Sequence, residues 1–98
     1  MSYFVVCTFD LANASYEDYE NAYADLDQLG LHRQVTSDKG TKITLPTTTT
    51  AGEFNGQSAG SVRDHVIERV KKAFAARRFK SEIFVSVGGN WSWAHRTT

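Results

Sequence analysis

The strongest constraint on the fold is one arrangement made twice: a short run of β-branched and aromatic residues beside a stretch with helical periodicity. Tyr3 to Asp10 (YFVVCTFD) and Glu82 to Val87 (EIFVSV) have the length and residue types of strands. After the first run and a turn at Ala12-Asn13-Ala14, Ser15-Tyr16-Glu17-Asp18 signals a helix start. The serine oxygen accepts from first-turn amides, and the acids complement the helix dipole. Tyr16, Tyr19, Ala22, Tyr23, Leu26 and Leu29 then fall on one side, with Glu17, Asp18, Asn21, Asp25 and Gln28 opposite. Leu29-Gly30 supplies the stop. A second helix is expected from near Ser61, whose S-x-x-D spacing with Asp64 suggests a cap, to about Arg78. Its apolar arc is Val62, Val66, Ile67, Val70, Ala73 and Phe74.

Between the helices, Leu31 to Thr36 and Lys42 to about Thr50 read as strands joined by a hairpin turn at Ser37-Asp38-Lys39-Gly40. Pro46 lacks a ladder donor, so a bulge or break is expected there, with Thr47 to Thr50 continuing the strand. Ala51 to Gly60, with three glycines, reads as a loop. The order is β-α-β-β-α-β: an α+β, ferredoxin-like sandwich with two helices on one face of an antiparallel sheet. Residues 1–98 make one such domain, with a C-terminal tail at 89–98.

Composition fits this reading. With 41% hydrophobic and 12% aromatic residues the chain builds a core, unlike a disordered segment. So small a domain leaves apolar surface uncovered, and association is expected. No apolar run approaches the roughly 20 residues of a membrane span. Met1-Ser2-Tyr3 lacks the charged start of a signal peptide, and the single cysteine, Cys7, excludes an intrachain disulfide or zinc knuckle. These features point to the cytoplasm. Eleven basic and eleven acidic residues cancel overall, yet residues 15–29 carry five acids and no Lys or Arg, whereas residues 61–80 carry seven basic residues against Asp64 and Glu68. Such a dipolar distribution can steer a polyanion or pair two copies of the chain.

The residues that carry chemistry are few. Asp10 ends the first strand, where a two-fold dimer would bring two carboxylates together as a metal site; a turn or helix-entry aspartate is the alternative. Lys71, Lys72, Arg77 and Arg78, with Arg69 and Lys80, are candidate phosphate contacts, although Lys71 and Arg78 flank one side of the apolar arc and Arg69 and Lys72 the other. The glycine loop has no G-K-[ST] element, and His32, His65 and His95 lack zinc-site spacing. Trp91 and Trp93, two apart, need cover: their own domain or a dimer interface.

The segment Phe4-Val5-Val6-Cys7-Thr8-Phe9-Asp10-Leu11, followed by a helix in a chain of this size, resembles the opening of a superfamily of small proteins. That superfamily comprises CRISPR adaptation nuclease-like proteins, VapD-type ribonucleases and GhoS-type antitoxin ribonucleases. The likeness rests on the first strand, the strand order and the chain length. It implies a homodimer that binds nucleic acid or cleaves RNA as a metal-dependent endoribonuclease, within a toxin–antitoxin or CRISPR-like system. It also implies that Asp10 is the catalytic carboxylate and ligand of a divalent ion, Mg²⁺ or Mn²⁺. Two other readings stand beside it. One is a non-catalytic dimeric interaction module. The other is a regulatory ferredoxin-like domain holding a small molecule near the tyrosines.

Overall fold

A computed structural model describes residues 1–98. Its elements are β1 (Ser2–Leu11), α1 (Tyr16–Gln28), β2 (Gln34–Thr36), β3 (Lys42–Thr44), β4 (Thr49–Asn55), α2 (Ala59–Ala76) and β5 (Ser81–Gly88). The sheet is antiparallel with order β4-β1-β5, so the first strand is central. β2 and β3 form a separate hairpin. Its base joins the sheet at one bridge, where His32 and Ala51 exchange two backbone hydrogen bonds of 2.8 and 2.9 Å. The architecture is the expected α+β one, roughly consistent with a ferredoxin-like fold, with β3 inserted as the hairpin's second arm.

Strand alternation decides which way β1 faces. Tyr3, Val5, Cys7, Phe9 and Leu11 are buried, and the residues between them are not. Ala22, Tyr23 and Leu26 of α1 and Val62, Val66, Val70 and Phe74 of α2 join them in one core. Both helices therefore cover the same face. Phe9 packs against Tyr19, Tyr23 and Phe74 at ring-centroid distances of 6.2, 5.6 and 5.4 Å. The other face of the sheet carries no helix.

Local chemistry sets the boundaries. Ser15 and Asp18 form a reciprocal capping box: Asp18 N–H donates to Ser15 Oγ (3.1 Å), and Ser15 N–H donates to Asp18 Oδ2 (3.0 Å). α1 ends at Leu29, and Gly30 follows with φ +91°. Tyr16, at the first helical position, is exposed rather than packed. The hairpin turn at Ser37–Gly40 closes with Gly40 N–H donating to the Ser37 carbonyl (2.9 Å). The break at Pro46 is present: Thr48 has φ +61°, and Thr49 N–H donates to the Pro46 carbonyl (3.1 Å).

Four expectations need correction. Leu31 to Thr36 is strand only at Gln34–Thr36, because Leu31 N–H still donates back to the Leu26 carbonyl (2.9 Å) and His32 bridges to Ala51. Lys42 to Thr50 is not one strand, because the Pro46 turn separates β3 from β4 and redirects the chain to β1. Ala51 to Asn55 is strand rather than loop, since β4 pairs along its whole length with Ser2 to Thr8. Gly52 was a loop signal, but its role is close approach: a Cβ there would stand 2.0 Å from the Gly30 carbonyl oxygen. Finally, α2 starts before Ser61. Ser58 is the cap, with Ser61 N–H donating to Ser58 Oγ (3.0 Å) and Ser58 N–H donating to Ser61 Oγ (3.2 Å).

Two stability measurements follow from these contacts. Gly52→Ala must push β4 away from the end of α1, and we expect urea denaturation to report a loss of about 1–3 kcal/mol. Ser58→Ala removes the acceptor at the start of α2 and is expected to cost about 1 kcal/mol in the same assay.

Candidate functional site

The alternation that buries Phe9 and Leu11 turns Asp10 onto the helix-free face, where it is exposed. Its cross-strand partner in β5 is Glu82, also exposed, so two carboxylates of one chain lie side by side on that face. Thr8 pairs with Phe84 next to them, and Phe84 is 65% exposed. No group of three or more His, Cys, Asp or Glu residues is arranged to hold a metal ion. Two carboxylates suit at most a hard divalent ion that keeps several waters, such as Mg²⁺ or Mn²⁺. In such a site Asp10 and Glu82 would be its protein ligands.

The candidate basic residues do not join Asp10. Lys71 and Lys72 lie on α2, which covers the opposite face of the sheet, and Lys71 approaches Glu68 at 3.5 Å. Arg77 caps the end of α2 and turns to α1, where it donates two hydrogen bonds to the Asp25 carboxylate, at 2.8 and 2.9 Å. That hydrogen bonding, with the attraction of the carboxylate, makes the Arg77 guanidinium hold its proton more tightly than usual. Part of the charge asymmetry between the helices is thus satisfied inside the chain. Arg78 follows in the left-handed region, φ +60°, beside Leu11–Ala14 and Lys80 in a cleft at the end of β1.

The tail turns back over its own domain. The Trp91 ring stacks on Phe4 of β1, with centroids 5.7 Å apart and planes 21° from parallel. Trp93 is 36% exposed. With Phe4, Glu53 and the hairpin residues Gln34–Lys39, the two tryptophans line a groove of about 680 Å³ on the helix-free side. Trp91, for which its own domain and a dimer interface were both open, therefore has an aromatic partner within the chain.

The tyrosines offer little to a ligand. Tyr19 Oη donates to the Leu11 carbonyl (3.2 Å) and accepts from Leu11 N–H (3.3 Å). Tyr23 Oη accepts from Thr48 N–H (2.6 Å), and the Arg33 guanidinium lies 4.0 Å from the centre of its ring. His32 meets Asp27 at 2.5 Å. Sequence reasoning missed Glu82 and Phe84 as members of the open face. The alternation in Glu82-Ile83-Phe84-Val85-Ser86-Val87 holds that signal, but only the pairing with β1 says which set faces outward.

Compared with protein-family models and with curated proteins, the sequence matches none.

Cys7 lies on the buried side of β1, so it belongs to the core and not to the open face. Burial pushes its thiol up from 9.0 to about 11, partly offset by a hydrogen bond from Thr50. The folded protein therefore holds this proton where the unfolded chain releases it, and the stability it contributes is full below pH 9 and lost as pH rises through about 11. At pH 8 an aromatic disulfide reagent is expected to label Cys7 only after denaturant is added.

Proposed function

We propose that the chain works as a self-associating interaction module. The observation that supports this reading is the one-sided architecture: both helices cover one face of the sheet, and Phe84 stands 65% exposed on the other. An antiparallel sheet with one wet face is ordinary, but a large exposed aromatic on its edge strand favours a partner. The separation of Asp10 from Lys71 and Lys72 weighs in the same direction, because a phosphodiester site needs its acid and its phosphate contacts on one surface. The lone buried thiol suits a reducing compartment, and we assign the chain to the cytoplasm. No helix is long and apolar enough to cross a membrane. Light scattering is expected to give twice the 10.9 kDa mass of one chain, and a monodisperse monomer at high concentration would sink the reading.

A second reading is favoured by the register of Asp10 with Glu82: a metal-dependent endoribonuclease or nucleic-acid-binding component of a toxin–antitoxin or CRISPR-like system. Mg²⁺ or Mn²⁺ between the carboxylates would activate water and neutralise charge on a phosphate. Under this reading Arg69, Lys72, Arg78 and Lys80 are the basic candidates with no protein carboxylate in contact. Asp10→Asn is expected to reduce metal-dependent RNA cleavage to background while the circular dichroism spectrum stays unchanged. Equal cleavage by both proteins would remove Asp10 from any mechanism.

A further inference from the structure

The outer edge of β5 has a defined hydrogen-bonding pattern. Phe9 N–H of β1 points to the β4 side, where it meets the Thr48 carbonyl at 3.1 Å. Backbone groups alternate sides along a strand, so the odd residues of β1 bond toward β4 and the even ones toward β5. Ala12 N–H, which donates to the Lys80 carbonyl at 2.8 Å, continues that alternation. Through the register, Glu82, Phe84, Ser86 and Gly88 turn their backbone groups inward to β1. Ser81, Ile83, Val85 and Val87 turn theirs outward. No strand lies on that side, and none of these outward groups takes part in a turn, loop or tail hydrogen bond.

Glu82 is the one charged side chain on this edge strand, and nothing else in the chain blunts it. Between Ser81 and Gly88 there is no proline, lysine or arginine, and no bulge interrupts the register with β1. Those are the usual devices that keep an edge strand from pairing. The tail leaves the edge bare, because beyond Gly89 it crosses to Phe4.

We infer that two copies of this chain join β5 to β5, antiparallel about Phe84, into one continuous sheet. This deepens the self-association reading and rests on it. The occupant is a second copy because the edge is complementary to itself. The outward residues are placed symmetrically about Phe84: Ser81 meets Val87, and Ile83 meets Val85. Every outward N–H and C=O of one strand then finds a partner on the other, and any shifted register leaves some of them unpaired. On the open face the same register sets Phe84 against Phe84 at a non-hydrogen-bonded position, where opposed side chains come closest. It sets Glu82 against Ser86, so no like charges oppose each other across the junction. The two-fold axis stands perpendicular to the sheet, keeping both helix layers on one side. Each copy retains its own Asp10–Glu82 pair, and the two pairs stand apart on the shared face.

Phe84→Cys tests the register. A non-hydrogen-bonded antiparallel pair brings its Cβ atoms within reach of a disulfide, and buried Cys7 stays out of the exchange. Mild oxidation is expected to convert Phe84→Cys to a covalent dimer and to leave Ser86→Cys, which faces Glu82, largely uncrosslinked. Phe84→Lys places two ammonium groups in opposition at an exposed position. It is expected to raise the dimer dissociation constant roughly tenfold or more, with an unchanged circular dichroism spectrum. Equal crosslinking through Ser86→Cys would overturn the register. A wild-type dimer that neither crosslinks through Phe84→Cys nor weakens with Phe84→Lys would overturn the β5 interface and leave the self-association reading standing. A monomeric wild-type chain would overturn both.

Discussion

Packing on the odd-numbered face of β1 is the constraint from which the rest of the structure follows. β1 is the central strand, and Tyr3, Val5, Cys7, Phe9 and Leu11 present one apolar stripe to both helices. Phe9 sits where the helices converge, in contact with two tyrosines of α1 and Phe74 of α2. A strand has only two faces, so burying this stripe sends Phe4, Val6, Thr8 and Asp10 to the other side. A slip of one residue would bury a carboxylate and expose five core side chains. The placement of Asp10 is thus a consequence of core packing before it is a statement about chemistry.

The one-sided helix layer divides the molecule chemically. Acidic α1 and basic α2 lie together on the covered side, where Asp25 and Arg77 join them by a bidentate pair. The uncovered side holds the acidic pair, the exposed Phe84 and the groove beneath the tryptophans. The tail shields only the Phe4 end of that side, through a single stacked ring pair. Asp10, Glu82 and Phe84 stand clear of it, so the interaction and metal readings both concern the same open surface.

Much of the fold was legible because its signals are local. The Ser15 cap, Gly30 stop, Pro46 break and apolar arcs of both helices depend on residues within a few positions of one another. The Ala51 to Asn55 part of β4 reads as a loop because its glycine and its polar residues argue for one. What makes it a strand is the ladder with β1, formed by residues nearly fifty positions away. The early start of α2 escaped notice for a smaller reason: Ser58 and Ser61 both suit a cap, and only the hydrogen bonds between them show which one serves.

The candidate site shows the same division. Sequence alone determined that Asp10 follows an apolar strand, that the basic residues cluster in the second helix, and that two tryptophans close the chain. Those facts follow from residue type and short-range periodicity. Only the tertiary structure decided that Asp10 neighbours Glu82, that the helix carrying Lys71 and Lys72 covers the other face, that Arg77 is held by Asp25, and that Trp91 rests on Phe4. Each of these depends on strand register and helix placement. Both are set by which apolar surfaces are removed from water together, and that collective choice is not encoded at any one position of the chain.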